Sequence, residues 1–119
     1  MDKLNQLLQI FYHHQIVLKT FHFQTTSYAA HKASDAYLEK FATNMDRFME
    51  VAQGVYGRVT LKEIDMKVQV GKDISCNVKD MVKVLSVGSG FYQNNTDLLA
   101  IRDEMLADAN QLLYLLTFE

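Results

Sequence analysis

Four side chains that can bind metal lie along one side of a predicted helix in the segment HKASDAYLEKFATNMDRFME, residues 31–50. At about 100° per residue and with His31 at zero, Asp35 lies near 40°, Asp46 near 60° and Glu50 near 100°. Imidazole and carboxylate groups are both common ligands of metal ions. Asp35 and Asp46 are about 16 Å apart along a helix, whereas metal–oxygen bonds are only about 2 Å long. The two ends of this metal-binding stripe therefore cannot hold one site within a single chain.

Other residues near the stripe have simpler interpretations beside the functional one. His22 lies on the core side of the preceding predicted helix, and the turn brings it towards His31; alone it is more simply a core or interface histidine satisfied by a hydrogen bond. Each carboxylate taken alone is more simply a solvated charge. Glu39, near 80°, is either a secondary ligand or a neighbouring charge. His13 and His14 face different directions and are expected at the surface.

The composition restricts the classes of function. The chain has 119 residues, 49% of them hydrophobic, and a net charge of −2. These values predict one domain with a substantial core and no strong electrostatic binding to nucleic acid or anionic membrane. The single cysteine, Cys76, excludes an internal disulfide and a thiolate cluster and fits a reducing, cytoplasmic compartment. We expect no signal peptide and no membrane-spanning segment.

Hydrophobic periodicity predicts four helices. Helix A covers about 3–26, helix B about 29–55, helix C about 77–93 and helix D about 97–117. The predicted core positions are Leu4, Leu8, Phe11, Leu18 and His22 in A, Leu38, Phe41, Met45, Phe48, Ala52 and Val55 in B, and Leu98, Ile101, Met105, Leu112 and Leu115 in D. Methionines 45, 49, 81 and 105 are most simply core residues.

The connections between the helices indicate the topology. Ser27 is placed to cap helix B, Gly54 and Gly57 to end it, and Ser75 or Asn77 to cap helix C. Gly88 and Gly90 predict either a close crossing or a break in helix C. The segment of about 57–76 is rich in β-branched residues, which is typical of an extended connection or a short hairpin.

Two short turns and one connection of roughly 20 residues describe a single-crossover arrangement. Helices A and B would form one antiparallel hairpin and helices C and D another, with the middle segment crossing the length of the bundle. We therefore predict an all-α protein, a ferritin-like four-helix bundle with one long B–C crossover, as a single domain over residues 1–119.

The stripe and its surroundings resemble the ferroxidase region of the Dps-like mini-ferritins. In that family a His followed by an aromatic residue ends the first helix, and a second His opens the next helix with an acid four residues later. An Asp and a Glu four apart follow eleven residues after that acid. The matching residues are His22-Phe23, His31, Asp35, Asp46 and Glu50. The segment NTDLLAIRDEMLADANQLLYLLTF also resembles the closing helix of the family.

The resemblance covers about residues 8–57 and 94–118. The short turn SYAAHKA is closest to the small Dps-like proteins of phages and large DNA viruses, for which the compartment is the host cytoplasm or the virion. Three features depart from the family pattern. The two histidines are nine positions apart rather than twelve, Phe23 replaces the usual Trp, and the basic N-terminal tail of some members is absent.

The resemblance implies an iron-binding ferroxidase that oxidises Fe(II) with peroxide or dioxygen at a di-iron site and stores ferric iron, limiting oxidative damage. Zinc or manganese is the alternative ion. Two antiparallel B helices across a twofold axis would join His22, His31 and Asp35 of one subunit to Asp46 and Glu50 of its partner. The minimal unit is then a homodimer, with a dodecameric cage as the larger assembly. The alternative function is a metal-free ferritin-like structural or interaction module, such as a viral structural or accessory protein.

We expect no strong binding to duplex DNA, because the charge is nearly balanced and no Lys-rich tail is present. Contacts to several phosphates require a basic patch and make the affinity fall steeply with salt. A gel-shift assay at about 0.1 M salt checks this, since screening is already substantial there. Tight, salt-sensitive binding would contradict the prediction.

Overall fold

Four α-helices make up the computed structural model of the chain, which describes residues 2–69, 71, 73–87 and 90–118. They are α1 (Asp2–Gln24), α2 (Tyr28–Tyr56), α3 (Ile74–Val87) and α4 (Thr96–Leu115). These residues contain no strand, so the prediction of an all-α four-helix bundle is confirmed. In the same part of the chain, no helix has both the length and the apolar character needed to span a membrane.

The connection after α2 runs back along α1. The backbone N–H of Thr60 donates to Asn5 Oδ1 at 3.3 Å, and His13 Nε2 lies 3.2 Å from the carbonyl oxygen of Lys67. The start of α3 then lines a recess together with the α1–α2 turn. Helix α1 packs on α2 and α3, and α4 packs on the same two helices. Helices α2 and α3 therefore begin at the same end of the bundle and lie on a diagonal.

The third helix departs most from the sequence prediction. It begins at Ile74 rather than at 77, because Asp73 Oδ1 accepts a hydrogen bond from the Ser75 N–H at 2.9 Å and so caps it. Aspartate is among the best residues for this position. The helix ends at Val87 rather than at 93, and residues 91–94 form a turn. Gly88, which bears on the predicted break, lies outside the described residues.

Gly57, and not Gly54, ends α2. Gly57 has φ of 95°, a left-handed conformation that glycine adopts without steric cost, and its N–H donates to the Gln53 carbonyl at 2.9 Å. Gly54 lies within the helix. The described part of segment 57–73 contains no strand, so the predicted alternative of a short hairpin is not found there.

Aromatic rings occupy the centre of the core. Phe11 packs edge-on against Phe41 and Phe48, with centroids 5.7 and 5.8 Å away. The predicted core positions are buried except for Val55, which is exposed, and Leu38 and Leu115, which are half-buried. Methionines 45, 49, 81 and 105 are all buried, as predicted. The 3–4 spacing of apolar residues thus identified most of the inward faces.

A polar network crosses the core at His14, which is only 2% exposed. The prediction that His14 lies at the surface was wrong, because it lies three residues after Phe11 and four before Leu18, within the core series. Its Nε2 is 2.7 Å from the Tyr37 hydroxyl, and its Nδ1 is 3.0 Å from Asn77 Oδ1. Tyr37 therefore donates to Nε2, while the Nδ1–H donates to Asn77. The network joins α1, α2 and α3 through one imidazole.

Burial lowers the pKa of the His14 imidazole to about 4, an effect that the hydrogen bond to Asn77 partly opposes and the nearby His13 adds to. The unfolded chain, with an ordinary pKa of 6.5, binds the proton first as the pH falls. The stabilisation is therefore complete above about pH 6.5 and is lost as the pH falls from there towards 4.

We expect this imidazole to reduce the free energy of unfolding by about 2 kcal/mol between pH 7 and pH 5. Urea unfolding at the two pH values measures the change. His14→Gln is the matched control, because glutamine keeps a donor and an acceptor but does not titrate. The pH dependence of the variant should be smaller by that amount, and an unchanged pH dependence would contradict the assignment.

Candidate metal centre

A three-residue turn positions the two histidines of the predicted site. Helix α1 ends at Gln24, and Ser27 caps α2 by accepting a hydrogen bond from the Ala30 N–H at 3.1 Å. The Ser27 N–H in turn donates to Thr25 Oγ1 at 3.2 Å. The predicted cap is confirmed. Because the turn is so short, α1 and α2 are in contact from their connected ends onward.

His22 and His31 stack face to face beside this turn. Their ring centroids are 4.0 Å apart and their planes differ by 17°. His22 is buried, and His31 is half-buried. The turn of only three residues thus brings the two imidazoles together.

Reciprocal hydrogen bonds to the backbone orient the pair. His22 Nδ1 lies 3.0 Å from the carbonyl oxygen of His31, and His31 Nδ1 lies 3.0 Å from the carbonyl oxygen of His22. A carbonyl oxygen can only accept, so each Nδ1 carries the proton. In the neutral rings, each Nε2 then holds a lone pair. Histidine ligands of metal ions are commonly held in this way, with the other ring N–H donating to a carbonyl or a carboxylate.

Ser34 reinforces this orientation from the core side. Its hydroxyl donates to the His31 carbonyl at 3.1 Å and also lies 3.1 Å from His22 Nδ1. Ser34 is fully buried. Sequence reasoning did not identify it, although a small polar residue three positions after His31, on the core side of an amphipathic helix, was an available signal.

The three predicted carboxylates are all exposed on α2, with Asp35 one turn after His31 and Asp46 and Glu50 farther along. Within the described ranges, no three His, Cys, Asp or Glu side chains approach closely enough to hold one metal ion. The chain thus brings His22 and His31 together and leaves Asp46 and Glu50 apart from them. A site shared by two chains stays a prediction.

The stacking of the two imidazoles restricts how they can bind metal. Imidazole nitrogens bind along a lone pair that lies in the ring plane, with bonds of about 2 Å. Lone pairs in two nearly parallel planes, with centroids 4.0 Å apart, do not converge readily on one ion. Pairs of catalytic metal ions are typically about 3.5–4 Å apart. The geometry therefore suits one ligand for each of two neighbouring ions better than two ligands for one.

An apolar stripe lies on the outer face of α1, formed by Tyr12, Ile16 and Phe23, which are 37%, 43% and 71% exposed. The Lys19 ammonium group lies 5.1 Å from the centre of the Phe23 ring. Around the helix, these residues lie about 80–120° from His22. The apolar stripe lies on the α1 side of the outer face of the α1–α2 hairpin, and the carboxylates lie on the α2 side of the same face.

Comparison with known proteins gives a family but no function. No curated protein and no solved structure matches the chain. Residues 22–116 match a family of unknown function, DUF5856, and this region includes every residue of the predicted site. The match covers most of the sequence, and the chain therefore belongs to the DUF5856 family.

Proposed function

We propose that this chain is a mini-ferritin-type protein that oxidises Fe(II) with peroxide or dioxygen and stores the ferric product. The observation that carries the proposal is the His22–His31 pair, in which both Nδ1 atoms are committed to backbone carbonyls. The two Nε2 atoms are thereby left to bind iron, which is here the substrate. By consuming Fe(II) and peroxide together, the protein limits oxidative damage in a cytoplasm, or in a host cytoplasm or virion if it is viral.

The carboxylates complete the site in a homodimer. Asp46 and Glu50 lie on the same side of α2 as Asp35 but about 16 Å and about 22 Å away from it along the helix. Two α2 helices that run antiparallel across a twofold axis bring the His31–Asp35 end of one chain to the Asp46–Glu50 end of the other. Each dimer then has two equivalent sites, and a dodecameric cage is the larger assembly we propose.

Two properties of the outer face support a dimer. Its apolar stripe on α1 is exposed in the single chain, and contact with a second copy would remove this surface from water. Carboxylates on α2 would also gain cations as partners once the shared site binds iron. Oxygen ligands from these carboxylates favour hard cations and stabilise Fe(III), whereas the imidazoles suit several divalent ions. Zinc or manganese could occupy the same residues.

The residues divide the work of the reaction. His22 and His31 bind and orient Fe(II), and Asp35 of the same chain and Asp46 and Glu50 of the partner balance its charge. Bound Fe(II) supplies the electrons that reduce peroxide or dioxygen. The stacked rings and Ser34 hold the imidazoles in place before iron arrives, so little reorganisation is needed.

Replacing His31 with Ala should lower the rate of Fe(II) oxidation at least about tenfold, since loss of partners even outside the ligand set costs that much in metal sites. The variant keeps the His31 carbonyl that accepts from His22, so His22 retains its orientation. Anaerobic addition of Fe(II), followed by peroxide or air, reports ferric product by absorbance. His13→Ala, which removes an imidazole elsewhere on α1, is the matched control.

An unchanged oxidation rate in His31→Ala would show that His31 is not a ligand. If the parent protein oxidises iron no faster than buffer does, the proposed function is wrong, and the metal-free structural or interaction module becomes the better description. Circular dichroism on each variant separates loss of activity from loss of helix.

Complementation tests whether the site is shared between subunits. One inactive variant carries His31→Ala and Asp35→Ala, and the other carries Asp46→Ala and Glu50→Ala. A heterodimer of the two has one intact site and one doubly damaged site, so it should recover up to about half of the parent activity per dimer. Verified heterodimers that stay inactive, while parent dimers refolded in the same way are active, would contradict the shared site.

A further inference from the structure

The Tyr37 hydroxyl and the His14 imidazole meet inside the bundle, and the proposed iron reaction does not use either of them as a ligand. The Oη–Nε2 distance is 2.7 Å, and both side chains are at least 96% buried. The two rings meet edge-on, with centroids 5.6 Å apart. The hydroxyl thus donates a short hydrogen bond to an imidazole lone pair in a water-poor environment.

This arrangement is chemically suited to oxidation of the phenol. A tyrosine loses one electron far more readily when its proton can move to a base at the same time. His14 Nε2 already accepts that proton in a hydrogen bond. On the other side of the ring, Asn77 Oδ1 accepts from the Nδ1–H and continues to do so if the ring becomes an imidazolium, which carries a proton on both nitrogens.

Tyr37 lies about two helical turns from the candidate metal centre, because its partner His14 precedes His22 by eight residues, which is about 12 Å along α1. Ser34 lies one helical turn before Tyr37 on α2, and its hydroxyl is 3.1 Å from His22 Nδ1. Three residues of helix correspond to about 5 Å along the axis. Phe23, next to His22, cannot serve in the same way, because its ring carries no hydroxyl proton to release.

We infer that Tyr37 is a one-electron donor to peroxide reduction at the candidate centre and that His14 Nε2 receives its proton. The inference rests on the proposed function. Reduction of one peroxide to two waters takes two electrons and two protons. Two Fe(II) ions supply both electrons; when one Fe(II) is bound, Tyr37 supplies the second.

In that step, the Tyr37 O–H bond breaks, an N–H bond forms at His14 Nε2, and Tyr37 becomes a neutral radical beside an imidazolium. The Fe(II) ion becomes Fe(III), and two protons from solvent complete the two waters. A later Fe(II) returns one electron to Tyr37, while His14 returns the proton. The pair therefore keeps the second oxidising equivalent of peroxide inside the protein when iron is scarce.

Photochemical oxidation tests the pair without iron. Metal-free protein is flashed with ruthenium tris-bipyridine and persulfate, frozen, and examined by high-field EPR. We expect a tyrosyl radical whose g-tensor shows a hydrogen bond from imidazolium. Tyr37→Phe, which deletes only the hydroxyl, should lose this component. Tyr92→Phe should keep it, because Tyr92 is equally buried but packs between Phe48 and Phe91.

The role of His14 has its own readout. His14→Gln keeps an acceptor for the Tyr37 hydroxyl but cannot take up a proton, so formation of the Tyr37 radical should fall at least about a hundredfold, the low end of the range for loss of a positioned base. Should this variant fail to fold, the parent protein is flashed in D2O. Slower formation of the Tyr37 radical supports transfer of the proton with the electron, and an unchanged rate overturns it.

An iron experiment then links the pair to the proposed reaction. One Fe(II) per proposed site is mixed with excess peroxide and freeze-quenched, and the same radical should appear in the parent and be missing in Tyr37→Phe. Equal radical yields in these two proteins would overturn electron donation by Tyr37. A flash spectrum that is identical in the parent and in Tyr37→Phe would show that Tyr37 and His14 do not form a redox pair. If no protein forms ferric product, the proposed function fails, and the flash experiment alone decides whether Tyr37 and His14 form a redox pair.

Discussion

The three-residue turn between α1 and α2 is the constraint on which the rest of the structure depends. Three cross-helix pairs are centred near Thr26: His22 with His31, His14 with Tyr37, and Phe11 with Phe41. Since each residue advances a helix by about 1.5 Å, a different antiparallel register would separate all three pairs at once. The stacked imidazoles, the buried polar network and the aromatic core therefore share one geometric origin.

The number of hydrogen-bond partners determines what each histidine of the hairpin can do. His14 is held at both nitrogens, by Tyr37 and by Asn77, and has no lone pair left for a ligand. His22 and His31 are each held at Nδ1 alone. Within the described chain, no buried side-chain nitrogen or oxygen lacks a hydrogen-bond partner. The different numbers of partners at the three histidines therefore leave no buried polar atom unpaired there. One residue type thus serves as a structural element in one place and as a candidate ligand in another.

Sequence reasoning reached the four helices, most of the core and the Ser27 cap because these depend on local spacing and on backbone donors that need an acceptor. It misplaced His14 because the predicted core series of α1 passes from Phe11 directly to Leu18, and His14 lies in that gap. It also misplaced the start of α3, where Asp73 rather than Ser75 or Asn77 provides the cap. Stacking of His22 on His31 depends on turn geometry, and the proposed role of the carboxylates depends on a second chain, so helical periodicity alone determines neither.

The use of backbone carbonyls to hold the paired imidazoles has a consequence for which sequence changes the pair tolerates. A carbonyl acceptor is present whatever side chain the residue carries, so the tautomers do not depend on a particular neighbouring side chain. Around the two histidines, substitutions can accumulate without changing which nitrogen faces outward. Insertions or deletions between the two histidines would change it, because the nine-position separation sets which carbonyl each ring meets. In this chain, the separation of the two histidines therefore matters more for the pair than the side chains around it.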